Sequence, residues 1–247
     1  MNRVQRYSSY TFTAYLAAHF TNTAILPLVT RSISASDNYL LLTRPYYQSP
    51  LLEPLIVFAP LVAHIGSGIL LRIHRRRQSL QWYGAESRSD RRNVAWPKLS
   101  ATSALGYALV PLVAGHVLVN RLVPLWVDGD SSGIGLAFVA HGFARHPVVA
   151  FVWYGAMVGI ATGHFVWGWA KWLGLTPDVG SGGDAVDQGL RKKRRWYGIN
   201  GLSIAVAGLW MTAGLGVVGR SGPSEGWIGR GFDKLFDAVP IVGGFLH

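Results

Sequence analysis

The chain has 247 residues, half of them apolar and 14% charged, with 23 Lys/Arg against 12 Asp/Glu, a net charge of +11 and no Cys. With a mean hydropathy of +0.25, these values exclude a disordered chain, a disulfide-stapled secreted domain, a zinc ribbon and a thiol enzyme. They favour an integral membrane protein with basic loops.

Five stretches lack charge. They hold 24 residues between Arg6 and Arg31, 18 between Glu53 and Arg72, 22 between Lys98 and Arg121, 25 between Arg145 and Lys171, and 24 between Arg195 and Arg220. A bilayer core of roughly 30 Å takes about 20 apolar residues as a helix, and lipid gives a bare backbone no water. The pattern predicts an all-α integral membrane protein with five transmembrane helices, near 9–29, 54–71, 99–120, 147–170 and 197–219. The first lacks an A-x-A-like exit and outruns an ordinary signal core, so it reads as a membrane helix. The second is the shortest and carries Pro54 and Pro60. Residues 128–146, with Ile134, Leu136, Phe138 and Val139, read as a surface loop. Over 227–242, Ile228, Phe232, Leu235, Phe236 and Val239 share one helical face, which predicts a C-terminal interfacial helix.

Five spans place the N-terminus, the 72–98 loop and the 171–195 loop on one side, with 16 of the 23 Lys/Arg. The positive-inside bias makes that side cytosolic. The runs at 72–77 and 191–195 fall at headgroup level, where topology anchoring is the plain reading and binding of acidic lipids the sharper one. Nucleic acid is not an expected partner, because membrane spans interrupt the charge and no recognition motif accompanies it.

Two stretches repeat. His19 precedes Pro27 by eight residues, and His116 precedes Pro124 by eight. His64-Ile65-Gly66-Ser67-Gly68 and His164-Phe165-Val166-Trp167-Gly168 both read H-x-x-x-G and both end a span at a basic residue. The offsets are 97 and 100 residues. Spans one and two thus read as duplicated in spans three and four, a pseudo-repeated four-helix core. The expected organisation is a first module over 1–96, a second over 97–195, and a fifth span with an amphipathic tail over 196–247.

Four spans therefore carry one interior His each. An ionisable group there is costly unless paired or ligating. His64 is 8 residues from Arg72 and His164 is 7 from Lys171, so both lie roughly 10–12 Å in at 1.5 Å per residue. His19 and His116 lie deeper, 13 residues from Arg6 and 18 from Lys98, or roughly 20–27 Å. Matched depth pairs His64 with His164 and His19 with His116. Two imidazoles facing each other across a bundle are the axial ligands of haem b. Gly68, Gly115, Gly163 and Gly168 would let a flat macrocycle approach, and Arg72 and Lys171 could hold propionates. The opposing reading is that each His hydrogen-bonds a neighbouring helix, that Gly155-x-x-x-Gly159-x-x-x-Gly163 is a helix-packing face, and that the basic side chains snorkel. Asn22, Thr23, Ser67, Asn120 and Thr162 are candidates to line a polar lipid groove or to bond between helices. His74, His141, His146 and His247 read as solvated. No nucleophile–base set, phosphate loop or carboxylate dyad appears, so no enzyme is expected. Gly180-Ser181-Gly182-Gly183 lacks the Lys and flanking strand of a phosphate loop.

The run Leu40-Leu41-Leu42-Thr43-Arg44-Pro45-Tyr46-Tyr47-Gln48-Ser49-Pro50, with Glu53, Pro60, His64, Gly66, Gly68, Arg72 and the opening His19-Phe20-Thr21-Asn22-Thr23, resembles the fungal mitochondrial contact-site adapters, the Mdm10-complementing proteins. The resemblance spans about Tyr7 to Arg220. It implies a mitochondrial outer-membrane protein with a duplicated transmembrane module and a cytosolic N-terminus. It also implies recruitment of a bridge-like lipid-transfer protein of the vacuolar-sorting class, support of mitochondria–vacuole contacts and lipid homeostasis, and phospholipid scrambling. Family recruitment uses a Pro-x-Pro motif in an N-terminal tail. The sequence contains no Pro-x-Pro, so either that tail was lost from this sequence or docking differs. The core is also similar to the cytochrome b anchors of succinate dehydrogenase and fumarate reductase. That likeness implies the alternative function, a b-type cytochrome for electron transfer or quinone binding. Oligomeric state is not legible.

Overall fold

The computed structural model describes residues 1–179 and 185–239, and every regular element among them is helical. Helix α1 (Asn2–Phe20) runs through a π turn at Thr21–Ile25 into α2 (Leu26–Thr30). Next come α3 (Ile33–Thr43), α4 (Pro45–Gln48), a π turn at Glu53–Phe58 and α5 (Ala59–Trp82). The short α6 (Arg88–Asn93) precedes α7 (Ala101–Val117), a π turn at Leu118–Leu122 and α8 (Val123–Val127). Then follow α9 (Leu136–Arg145), α10 (Pro147–Trp172), α11 (Ala185–Met211), a π turn at Thr212–Val218 and α12 (Gly226–Asp237). Residues 180–184 and 240–247, which include the Gly-Ser-Gly-Gly run and His247, lie outside the described residues.

Four helical stretches among the described residues are long and apolar enough to cross a membrane: Glu53–Trp82, Ala101–Val127, Pro147–Trp172 and Val186–Val218. They cover all but at most two residues of each of the second to fifth expected spans. The first expected span lies on α1 and α2 and is not one of the four. Its Ser and Thr residues dilute the apolar surface, and several hydroxyls bond back into the helix, Ser9 to the Arg6 carbonyl and Thr13 to the Ser9 carbonyl. Large apolar side chains stay exposed along the four stretches, among them Val62, Ile69, Val149, Val152, Leu202 and Ile204. In water such a surface invites association; in a bilayer it is the solvated surface.

Three of the π turns share one cause. Leu26, Ala59 and Val123 donate to the carbonyls five residues back, Thr21, Pro54 and Leu118. Each donor stands immediately before a proline, Pro27, Pro60 or Pro124. A proline ring collides with the carbonyl four residues earlier and donates no hydrogen bond. The wider turn moves that carbonyl aside. The first and third of these turns are 97 residues apart, the offset read from His19 and His116.

The basic ends of α5 and α10 stop alike. Gly84 and Gly174 take left-handed φ values of 57° and 69°, and the next residues, Ala85 and Leu175, donate to the Leu80 and Ala170 carbonyls at 2.9 and 2.8 Å. This is the Schellman arrangement, which needs a residue without a Cβ at the left-handed position. Helix α6 starts at a capping box, with Ser87 and Asp90 each bonding the other's backbone N–H.

The chain divides into two compact units, Met1–His19 with Leu42–Ser100, and Phe20–Leu41 with Ala101–His247. In the second unit, one core gathers Val123, Ile134, Phe138, Phe232, Leu235 and Val239 from α8, α9, α12 and their flanks. Another joins Leu136, Ala140 and Val218 to Ile33 and Leu40. Residues 136–145, expected as surface loop, are therefore a buried helix, because their apolar face meets α12. The apolar stripe of α12 is taken up by protein, while Trp227 and Ile228 at its start stay exposed.

Candidate functional site

The two H-x-x-x-G histidines are held in the same way, each within its own unit. His64 on α5 donates Nδ1–H to the Gln5 carbonyl of α1 at 3.1 Å. His164 on α10 donates Nδ1–H to the Thr102 carbonyl of α7 at 2.8 Å. A carbonyl only accepts, so each of these Nδ1 atoms carries a hydrogen. Gln5 and Thr102 are 97 residues apart. The glycines around them admit neighbouring side chains. A Cβ at Gly68 would meet the Gln5 amide nitrogen at 3.2 Å, and one at Gly163 would meet Leu105 at 3.2 Å. A Cβ at Gly106 would fall 2.7 Å from the His164 ring, so α7 needs glycine there for the ring to dock.

The deeper histidines differ. His19 stacks on Tyr15, with ring centroids 5.7 Å apart. His116 meets the edge of Tyr154 at 5.8 Å. Asn120 donates to the His116 carbonyl at 2.9 Å and to the Tyr154 hydroxyl at 3.2 Å, and lies 3.3 Å from His116 Nδ1. Ser67 and Thr162, candidates for a polar groove, are buried and bond back to carbonyls of their own helices.

Each unit folds a basic loop with an arginine. In the first, Arg76 is buried and donates to the carbonyls of Arg91, Val94 and Ala95 at 2.6, 2.8 and 2.9 Å. Arg72 reaches the Pro97 carbonyl at 3.4 Å. Both guanidinium groups lie over the Trp96 ring, at 5.0 and 5.4 Å. Arg72 thus serves the loop, whatever else it contacts. In the second unit, Arg195 donates to the Thr176 and Val179 carbonyls at 3.2 and 3.1 Å.

His141, expected in solvent, is 2% exposed. Its Nδ1 accepts from the Ser224 backbone N–H at 3.1 Å, and its Nε2–H donates to Asp233 at 2.9 Å. Arg145 donates to the same carboxylate oxygen at 2.8 Å. The His141 hydrogen bond, then the one from Arg145, hold the Asp233 carboxyl below its ordinary 3.8. Asp37 is a second residue that sequence reasoning missed. Its carboxylate accepts the Leu136 N–H at 2.7 Å and the Ala137 N–H at 3.4 Å, capping α9 at the positive end of its dipole. Gly135 permits that approach, since a Cβ there would lie 2.7 Å from an Asp37 oxygen. Amphipathic spacing over 136–145 was the available signal for His141; nothing local marked Asp37.

No group of three or more His, Cys, Asp or Glu among the described residues could hold a metal ion. No curated protein and no solved structure matches the chain. The family model of the MDM10-complementing protein 1 transmembrane domain matches residues 14–109 and again residues 111–223. The second match covers His116, His164 and the π turn at Leu118–Leu122; the first covers His19, His64 and the π turn at Thr21–Ile25. With most of its length matched in two successive copies, the chain belongs to the family of the MDM10-complementing protein 1 transmembrane domain.

Proposed function

We propose that this protein is an adapter of the mitochondrial outer membrane. It recruits a bridge-like lipid-transfer protein of the vacuolar-sorting class and supports lipid homeostasis at mitochondria–vacuole contacts. The observation that carries this reading is the double family match laid over four helices apolar enough to span a bilayer. Family and helices together support a multi-pass mitochondrial membrane protein with an adapter role. The outer membrane, the partner and the cytosolic N-terminus, which requires α1–α2 to cross as a fifth span, are the finer parts of the proposal. Cells lacking their own copy provide the test. Expression of this chain should concentrate a fluorescent lipid-transfer protein on mitochondria, and an unchanged distribution would overturn the recruitment. Phospholipid scrambling is tested in vesicles of purified protein and fluorescent lipid. Flip no faster than in protein-free vesicles rejects it.

A bis-histidine haem b core is the second reading, with electron transfer or quinone binding as its function. It is favoured by the Nδ1–H bonds of His64 and His164 to backbone carbonyls, the kind of outer contact that orients ligating imidazoles. His116 fits less well, because Asn120 faces its Nδ1. Haem would supply one-electron chemistry; the chain would supply the axial nitrogens. Purified protein should show a Soret band that His64→Ala diminishes, and protein without the band and without iron rejects the reading.

A further inference from the structure

We propose that a groove in the second unit, between Pro177 and the first turns of α11, binds the headgroup of an anionic phospholipid. The groove is lined by Pro177, Lys192, Lys193, Trp196 and Tyr197. One wall is pinned from behind: the Arg195 bonds to the Thr176 and Val179 carbonyls hold the turn that carries Pro177. The opposite wall is regular helix. Lys192 and Trp196 are four residues apart, as are Lys193 and Tyr197, so each lysine shares a helix face with a ring one turn further along.

Depth assigns the ligand. From Trp196 to Gly219 the chain carries no charge, so the hydrocarbon begins at the two rings. Trp196 and Tyr197 are exposed at the level where amphipathic aromatic side chains meet lipid. The lysines lie four residues outward, about 6 Å, at the level of headgroup phosphates. Arg191 and Arg194 flank them. Residues 171–195 hold six basic and three acidic residues. Two of those acids, Asp178 beside Pro177 and Asp187 one turn before Arg191, temper the field without reversing it. A free phosphate would use only the ammonium groups. A lipid uses the rings as well, which cover its glycerol and first acyl carbons. The inference rests on the membrane-spanning reading of α11 and is independent of the adapter role.

The experiment uses the full chain in mild detergent, with bound lipid counted by native mass spectrometry. The probes are dioctanoyl phosphatidic acid and dioctanoyl phosphatidylcholine. Phosphatidic acid should reach half-occupancy at a roughly tenfold lower concentration. Raising the salt tenfold should weaken phosphatidic acid and spare phosphatidylcholine. The double variant Lys192→Gln/Lys193→Gln should raise half-occupancy for phosphatidic acid about tenfold, and Tyr197→Ser should raise it severalfold. Arg75→Gln/Arg77→Gln in the first unit removes the same charge and should change nothing. Equal binding of both lipids, an unaffected lysine variant, equal weakening by the arginine pair, or displacement by millimolar inorganic phosphate would each overturn the site.

Discussion

At the scale of single residues, two buried side chains act as clamps. His141 ties α9 to α12 through contacts 83 and 92 residues away in sequence. His141→Ala leaves the Ser224 N–H and Asp233 each short of a partner and opens space beside Phe232 and Phe236. The expected cost is about 2–4 kcal/mol, read as a lower thermal midpoint in detergent and faster tryptic cleavage at Arg230 and Lys234. Asp233 sets the acid limit of the same clamp. Its folded carboxyl titrates below the unfolded one, so the stability it adds is complete above about pH 4 and is lost as pH falls through the folded value. Asp233→Asn should lower the midpoint at neutral pH and remove that part of the acid dependence; an unchanged acid profile would contradict the assignment. Arg76 is the second clamp. Arg76→Lys keeps charge but cannot fork to three carbonyls, so trypsin should cut at Arg88, Arg91 and Arg92 about tenfold faster through local opening. Neither clamp was legible in the sequence. A His among loop residues and an Arg inside a basic run look solvated until their distant partners are in place.

At the scale of elements, charge-free length made the apolar helices legible, and loop polarity did not set their ends. Helix α5 continues well past Arg72, because Arg and Gln are good helix formers and the stop is the left-handed Gly84. The eight-residue His-to-Pro spacing was legible as a repeat, but its structural meaning was hidden. It marks a helix that widens to accept a proline. This reading has a genetic test at Leu118–Leu122. A π turn is one residue more than the α register needs. Deleting Val119 should draw the turn into that register, where Pro124 collides with a carbonyl, at a cost of about 3 kcal/mol. In a Pro124→Ala background the collision is gone, and the same deletion should cost markedly less. The difference between the two deletions, read from thermal midpoints, isolates the proline term. Equal costs in both backgrounds would show that the turn has another cause.

At the scale of the whole molecule, the order of the four apolar stretches fixes which segments share a side. If all four stretches cross, a segment after Glu53–Trp82 and one after Pro147–Trp172 are separated by two crossings, which puts α6 and the turn at 173–179 on the same side of the membrane. By the same count, residues 128–146 and the segment beyond Val218 share the other side. The contact of His141 with Asp233 requires that second pairing, since the two residues follow different spans. This agreement between span order and a side-chain contact was not available from charge gaps, which gave polarity without neighbours. The absence of native Cys allows a direct test. Single-cysteine variants Ser89→Cys and Gly189→Cys should react with a membrane-impermeant maleimide together, and Ser132→Cys and Ser221→Cys should react together under the opposite condition. In the proposed outer-membrane placement, with most Lys/Arg facing the cytosol, the first pair labels on intact mitochondria and the second only after permeabilisation. Inverted labelling of both pairs would reverse the orientation and leave the spans intact. Splitting either pair would mean that one of the four stretches does not cross.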